Sequence, residues 1–195
     1  MKKKNAMLSF GREDAVKTGR FLAFFIVVYI VLSFSVKAIF PVETIELWVA
    51  NNVLAFLQLL GYSGTVSFGE TAIIQLDAGS AIEISELCTG LTETLIVVGA
   101  IIASMGIGWR KRLFGAVAAG LAIIVLNYAR IVFTVLLILG TNDLAVIDFT
   151  HNVLFRAFLF VSIAGIYIAW FYWAASGETG NARRADRAFA AKKKV

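Results

Sequence analysis

Residues 110–139 read RKRLFGAVAAGLAIIVLNYARIVFTVLLIL, a basic triplet followed by a long apolar run. The run, from Leu113 to Leu139, exceeds the roughly 20 apolar residues that a helix needs to cross the hydrocarbon core of a bilayer. Basic residues beside such a run are typical of a cytoplasmic flank. The stretch therefore predicts a transmembrane helix that begins at the cytoplasmic face and carries one charged residue, Arg130, inside it.

Three further apolar runs have a similar length, at residues 21–40, 88–107 and 151–175. Of the 195 residues 59% are hydrophobic, more than the share of about half that is usual in soluble domains. The mean hydropathy is +0.83. The first run lacks a small-residue cleavage site and suits a retained span better than a signal peptide. The sequence predicts a mainly α-helical, polytopic membrane bundle with four spans and excludes a water-soluble domain.

The basic residues are distributed unevenly along the chain. They lie before the first run, in the 110–112 triplet and in the tail, whereas the segments 41–87 and 139–150 contain no Lys or Arg. These two segments hold eight acidic residues: Glu43, Glu46, Glu70, Asp77, Glu83, Glu86, Asp143 and Asp148. The positive-inside rule then places both termini and the triplet in the cytoplasm of a multi-pass cell-membrane protein. The cytoplasmic flanks therefore account for the net charge of +5. Because the sequence contains no base-reading motif, we expect no nucleic-acid partner. The predicted organisation is a basic cytoplasmic N-terminus (1–20), one membrane domain (21–175) and a basic cytoplasmic tail (176–195).

A fifth apolar stretch, residues 45–60, is shorter and contains Asn51 and Asn52. A single extra crossing here would reverse the orientation of the second span, which must end at the basic triplet. We therefore expect a helix that lies in the outer interface or packs within the bundle. A re-entrant segment interrupted at the two asparagines is the alternative, and the sequence does not separate them.

The segment before Cys88 is rich in β-forming residues. The runs 65–68, 71–76 and 81–85 are separated by Gly69 and by the turn-forming residues 77–80. This pattern predicts a small β-hairpin or three-stranded sheet on the outer, extracytoplasmic side. It leads directly to Cys88, and its edge is a surface on which an extended substrate could add a strand.

Three side chains that can carry chemistry are predicted to meet at the outer end of the bundle. Cys88 opens the second span and His151 opens the fourth, both from outside. Arg130 lies roughly two to three turns below the outer end of the third span. Each also has an ordinary structural explanation: the cysteine as a small apolar filler, the histidine as a helix cap, and the arginine as a partner of a carboxylate. For Arg130, the possible structural partners are Glu83, Glu86, Glu93 and Asp148.

The combination is coherent for nucleophilic catalysis. The thiolate is the reactive form of cysteine, and a helix N-terminus favours it. Arg130 could stabilise the thiolate or the oxyanion of a tetrahedral intermediate, and His151 could accept and return the proton. Asn127, one turn before Arg130, could orient the guanidinium or donate to a carbonyl. One His and one Cys are too few soft ligands for a metal site, and we expect no cofactor.

These residues resemble a known family. The motifs Glu86-Leu87-Cys88-Thr89-Gly90 and Asn127-x-x-Arg130-Ile131, followed by His151, are similar to those of the exosortase/archaeosortase membrane cysteine transpeptidases. The resemblance implies that Cys88 is the nucleophile, Arg130 the essential cation and His151 the third member. Some archaeal members use an arginine at the third place, which makes Arg156 a further candidate. The supporting or substrate-binding candidates are Asn127, Glu86, Asn152 and Arg156.

The resemblance also implies the substrate: exported proteins that end in a recognition motif, a transmembrane helix and a basic tail. Cleavage through a Cys88 thioester would be followed by transfer to an acceptor amine, such as a membrane lipid. A membrane cysteine protease with water as the acceptor and a non-enzymatic transporter or assembly scaffold are the alternatives.

Overall fold

The computed structural model describes residues 12–77, 79–141, 149–150 and 155–192. The fold is mainly helical. The described residues form helices and three short strands in the order α1 (Arg12–Ile39), α2 (Val42–Leu59), β1 (Gly64–Phe68), β2 (Ala72–Leu76), β3 (Ala81–Ile84), α3 (Leu91–Ala103), α4 (Trp109–Gly140) and α5 (Phe155–Lys192). A single 3-10 turn, Glu86–Cys88, lies between β3 and α3. Pro41 separates α1 from α2, because proline cannot continue a helix but suits the start of one.

The helices α1, α3, α4 and α5 run alternately up and down. Gly99 in the middle of α3 lies against Phe25 of α1, and Gly120 of α4 lies against Val98 of α3. Near the start of α4, Trp170 of α5 donates a hydrogen bond to the carbonyl of Lys111, at 3.3 Å. The Cys88 turn and the basic triplet 110–112 therefore lie at opposite ends of the bundle. Among the described residues, three helical stretches are long and apolar enough to cross a membrane, namely Glu13–Ile39, Trp109–Gly140 and Ala157–Ser176. They overlap three of the four predicted spans.

The second predicted span, 88–107, is wrong in its bounds. The helix covers only the 13 residues Leu91–Ala103, which is about 20 Å at 1.5 Å per residue, against a hydrocarbon core of about 30 Å. Its start is limited by Gly90, whose φ of +74° is left-handed, and its end by Ser104, whose backbone is extended. Hydropathy continues through both points, so the apolar run is longer than the helix. The short helix packs between α1 and α4, with Val97 and Ile101 fully buried.

The segment 45–60 forms one continuous helix, α2. The side chains of Asn51 and Asn52 donate to the carbonyls of Leu47 and Trp48, each at 2.7 Å, which is the i−4 pattern of an uninterrupted helix. The re-entrant alternative, with an interruption at the asparagines, is therefore wrong. One face of α2 is buried, at residues Glu46, Val49, Ala50, Val53, Leu54 and Leu57, and it packs against the sheet.

The β-rich segment forms a three-stranded antiparallel sheet in the order β1-β2-β3. This confirms the predicted strands. Ile74, Leu76, Ile82 and Ile84 are buried on one face and form a core with α2 and with the outer part of α4. A second core lies nearer the basic end of the bundle, between α3, α4 and α5. The sheet thus covers one end of the bundle, and β3 leads into the Cys88 turn.

Candidate active site

Cys88 ends the 3-10 turn that follows β3. Its backbone N–H donates to the carbonyl of Ser85 at 2.8 Å, and the hydroxyl of Thr89 donates to the carbonyl of Glu86 at 2.7 Å. The thiol is half-buried and forms no disulfide, and the Ser85 hydroxyl lies 3.7 Å from the sulfur as a donor. The sequence prediction placed Cys88 at the first position of the second transmembrane helix. It lies instead in a separate turn, because Gly90 leaves helical geometry before α3 begins.

Helix α4 holds this turn through two donors on one acceptor. The side-chain amide of Asn127 donates to the carbonyl of Cys88 at 2.8 Å, and the guanidinium Nη2 of Arg130 donates to the same oxygen at 3.3 Å. Asn127 is only 1% exposed. Of its two predicted roles, this contact fits donation to a carbonyl, and the carbonyl is that of Cys88 itself. The two α4 residues fix the backbone position of the cysteine.

The close contact of the two helices depends on Gly90. A Cβ at this position would lie 2.7 Å from Cγ of Asn127 and 2.9 Å from Nδ2, well inside van der Waals contact. The φ of +74° also lies in the left-handed region that side chains disfavour. Gly90 therefore serves two purposes, since it allows the chain to turn from the 3-10 segment into α3 and leaves room for the Asn127 amide.

A narrow cleft beside Cys88 runs between β3 and α4. Its lining residues are Ile82, Glu83, Ile84, Cys88, Arg130, Ile131, Thr134 and Val135. Within the described part of the chain, the buried Nε of Arg130 has no hydrogen-bond partner, and no carboxylate forms a salt bridge with the guanidinium. The structural pairing of Arg130 with Glu83, Glu86 or Glu93 is therefore not observed, and Asp148 lies outside the described residues. Cys88, whose thiol forms no disulfide, and Arg130, which has no carboxylate partner among the described residues, therefore line the same cleft.

Comparison with known proteins identifies the family of the chain. Residues 6–170 match the family model described as transmembrane exosortase. The match covers most of the 195 residues. The chain belongs to the transmembrane exosortase family. No curated protein and no solved structure shows significant similarity to it. The family assignment confirms the resemblance that the motifs around Cys88 and Arg130 indicated.

In this exosortase-family chain, Glu86 lies in the same turn as Cys88, and its side chain forms an ion pair with Lys37 of α1. Nζ of Lys37, near the end of α1, lies 2.6 Å from Oε1 of Glu86. Both side chains are partly exposed, at 43% and 36%. The ion pair joins α1 to the turn that carries the cysteine. Glu86 was predicted as a supporting or substrate-binding residue, and its observed partner favours support.

Glu46 is a residue of the exosortase site region that sequence reasoning missed. It is 4% exposed, on the face of α2 that packs against the sheet. Burial raises the pKa of its carboxyl, as do the nearby charges of Glu86 and Glu83, while backbone hydrogen bonds from Ala72 and Glu86 oppose the shift. Its carboxyl thus contacts the backbone at the start of the Cys88 turn. The burial of Glu46 could have been predicted from the sequence, since helical spacing puts Glu46 on the same face as the apolar residues Val49, Ala50 and Val53.

The structure does not describe the side chains of the remaining predicted residues. His151 and Asn152 lie outside the described residues, so their roles stay predictions. Arg156 belongs to α5, of which only the backbone is described at that position. The described structure therefore brings together Cys88, Asn127 and Arg130, three of the residues that the sequence singled out.

A larger apolar groove, of about 670 Å³, lies between α2 and α4. Its lining residues are Trp48, Asn52, Phe56, Tyr128, Ala129, Val132, Phe133 and Leu136. This set includes no acidic, basic or sulfur-containing side chain. The groups that can react lie on another face of α4, in the smaller cleft beside Cys88. Position, rather than size, identifies the site in this exosortase.

Proposed function

We propose that this exosortase is a membrane cysteine transpeptidase that cleaves the C-terminal sorting signal of exported proteins at the outer face of the cell membrane. The observation that carries the proposal is the cleft lined by both Cys88 and Arg130, whose Nε has no hydrogen-bond partner among the described residues. The substrates are exported proteins with a recognition motif, a transmembrane helix and a basic tail. We place both termini in the cytoplasm, because the basic triplet 110–112 lies at the opposite end of the bundle from Cys88.

The reaction has two steps. In the first, the Cys88 thiolate attacks the carbonyl carbon of the scissile peptide bond, and His151 carries the thiol proton to the leaving amine, so that a thioester forms as the C–N bond breaks. In the second, an acceptor amine attacks the thioester carbonyl, loses a proton to His151 and releases the thiol. A lipid head group is the acceptor we favour. Water in the same position would give a free carboxylate and convert the transferase into a protease.

The geometry of Arg130 supports its part in this reaction. An N–H on Nη2 donates to the Cys88 carbonyl, whereas Nε has no hydrogen-bond acceptor among the described residues. A guanidinium has five N–H donors in a fixed planar arrangement. One side can therefore hold the cysteine turn while other donors remain for the oxyanion of the tetrahedral intermediate. Donors fixed in advance around a developing negative charge are typically worth a factor of about 10²–10³ in kcat.

A processing assay in cells tests the proposal. The exosortase is expressed with an exported substrate that carries the three-part C-terminal signal, and the precursor and product are separated by size. We expect Cys88→Ala, Arg130→Ala and His151→Ala to accumulate precursor. Normal processing by membrane-inserted Cys88→Ala protein would contradict the proposal and favour a scaffold. Mass spectrometry of the new C-terminus then distinguishes transfer from hydrolysis, because a lipid adduct indicates the first and a free carboxylate the second.

A further inference from the structure

The sheet has an open edge that leads straight to Cys88. The strand order β1-β2-β3 leaves one side of β3 without a partner strand in the described structure. Two residues after β3 ends, the 3-10 turn that carries Cys88 begins. Unpaired strand edges are usually short, charged or covered, because they attract other extended chains. An open edge beside a candidate nucleophile is therefore a feature that calls for an explanation.

The hydrogen-bond pattern shows which backbone groups of β3 are used. The N–H of Leu76 donates to the carbonyl of Ser80 at 2.9 Å, at the turn between β2 and β3. In an antiparallel pair, hydrogen-bonded and non-hydrogen-bonded residue pairs alternate. With Ile82 opposite Ile74, the register directs the backbone groups of Ile82 and Ile84 towards β2. Their side chains are buried in the core.

The same alternation directs the N–H and C=O of Ala81 and Glu83 away from β2, to the open edge. No hydrogen bond joins these backbone groups to another described residue on that side. The side chains of both residues are exposed. Ala81 and Glu83 together present two N–H and two C=O groups at the open edge, enough to begin pairing with an added strand.

The cleft beside this edge has a volume of about 40 Å³, which leaves room for side-chain atoms of a peptide paired with β3 but not for a helix. β3 forms one wall with Ile82, Glu83 and Ile84, and α4 forms the other with Arg130 and neighbouring residues. Cys88 belongs to the same lining. A helix with side chains is about 10–12 Å across, too wide for a narrow cleft between a strand and a helix. A strand needs only the hydrogen-bonding distance of about 4.8 Å from its neighbour.

We propose that the open edge of β3 binds the extended segment of the substrate next to the scissile bond, as a fourth strand, and delivers the scissile carbonyl to Cys88. The inference rests on the proposed function and adds the way in which the substrate is recognised. Main-chain hydrogen bonds to Ala81 and Glu83 fix the register of the peptide, and the side chains that line the cleft select the motif.

The other edge of the sheet provides a matched control. Ser67 of β1 and Glu83 of β3 both pair with Ile73, so they occupy the same exposed face at opposite edges. The N–H of Gly69 donates to the carbonyl of Thr71 at 3.1 Å, so the backbone groups of Phe68 point outward from β1. Cys88 does not border this edge.

Photo-crosslinking of the full-length protein in membranes tests the edge directly. A benzophenone amino acid replaces Glu83 or Ser67 in a Cys88→Ala background, where co-expressed substrate remains uncleaved. We expect a substrate adduct from position 83 and none from position 67. Equal adducts from both positions, or an adduct from position 67 alone, would overturn the proposal. So would the lack of an adduct from position 83 when the wild-type enzyme processes the same substrate.

A backbone test uses active enzyme. Glu83→Pro removes the outward N–H, Glu83→Ala removes only the side chain, and Phe68→Pro makes the same backbone change at the other edge. We expect Glu83→Pro to slow processing about fivefold relative to Glu83→Ala, the value of one hydrogen bond, with Phe68→Pro within about twofold of wild type. Equal rates for Glu83→Pro and Glu83→Ala would contradict the proposal. If Glu83→Pro does not accumulate in the membrane, the cross-linking result decides.

These outcomes separate the two proposals. If Cys88→Ala still processes substrate, the proposed function is wrong, and the role proposed for the β3 edge is wrong with it. If wild type processes substrate and Cys88→Ala does not, the function holds, and the cross-linking and proline results then test the edge alone.

Discussion

The side chain of Asn127 packs against Gly90 so closely that a methyl group on Gly90 would lie 2.7 Å from Cγ of Asn127. The same Asn127 donates to the carbonyl of Cys88 at 2.8 Å. One contact between α4 and the start of α3 therefore sets the position of the cysteine backbone. Because the contact leaves no free space, small changes on either side should displace the nucleophile.

Gly90→Ala tests this contact. We expect a lower melting temperature and a loss of processing of roughly tenfold or more, because a displaced nucleophile is costly even at small distances. Thermal unfolding of detergent-solubilised protein and the cellular processing assay are the measurements. Gly61→Ala is the control, since Gly61 also has a positive φ, +90°, but has nothing within 4 Å of its Cβ position. Equal effects of the two substitutions would show that backbone strain alone matters.

Asn127→Leu tests the hydrogen bond to Cys88. Loss of the amide weakens the support of a partly buried carbonyl, and we expect the free energy of unfolding to fall by about 1–2 kcal/mol. Processing should fall mainly through kcat, because the nucleophile is misplaced while the substrate surface remains. Asn51→Leu, on the exposed side of α2, is the control. A change in KM with an unchanged kcat would instead place Asn127 in substrate binding.

The sequence predicted the long helices well because apolar length and flanking charge decide them. Arg110 and its neighbours mark the start of α4, and Pro41 marks the break after α1. The strands before Cys88 were also predictable, since β-forming runs alternate with turn residues. These features depend on local composition, which a single sequence displays directly.

Tertiary geometry explains what the sequence did not predict. The apolar run through Cys88 conceals a turn, because hydropathy does not register the left-handed φ of Gly90. The hydrogen bond from Asn127 to the Cys88 carbonyl depends on how α3 and α4 align, which spacing along one helix cannot give. Asn51 and Asn52 suggested an interruption of α2, but their side chains bond to the preceding turn and leave the helix intact.

The Lys37–Glu86 ion pair should contribute little to stability and modestly to activity. Both side chains are partly exposed, and exposed pairs contribute about 0–1 kcal/mol. A double-mutant cycle with Lys37→Ala and Glu86→Ala, read by thermal unfolding, should give a coupling energy within that range. Processing by the charge-reversed double variant, Lys37→Glu with Glu86→Lys, should exceed that of either single reversal. A failure of this rescue would indicate that Glu86 has a separate role, such as contact with the substrate.

Glu46 should make the stability of the protein depend on pH. Burial raises the pKa of its carboxyl in the folded state, so the folded protein holds this proton more tightly than the unfolded chain does. The contribution of this protonated carboxyl to stability is fully present below the ordinary pKa of a glutamate, 4.5, which applies in the unfolded chain, and is lost as pH rises through the raised folded pKa. The melting temperature of wild type should therefore fall, relative to Glu46→Gln, as the pH rises from below 4.5 through the raised folded pKa.

The comparison with Glu46→Gln isolates this group, because glutamine keeps the size and the acceptor oxygen but does not titrate. Glu43→Gln is the matched control, since Glu43 lies on the same helix and is exposed. Its curve of melting temperature against pH should follow that of wild type. Parallel curves for wild type and Glu46→Gln would show that the buried carboxyl is not the group that titrates. A divergence confined to Glu46→Gln would tie the pH dependence to the acid beneath the Cys88 turn, where the carboxyl accepts hydrogen bonds from the backbone of Ala72 and Glu86.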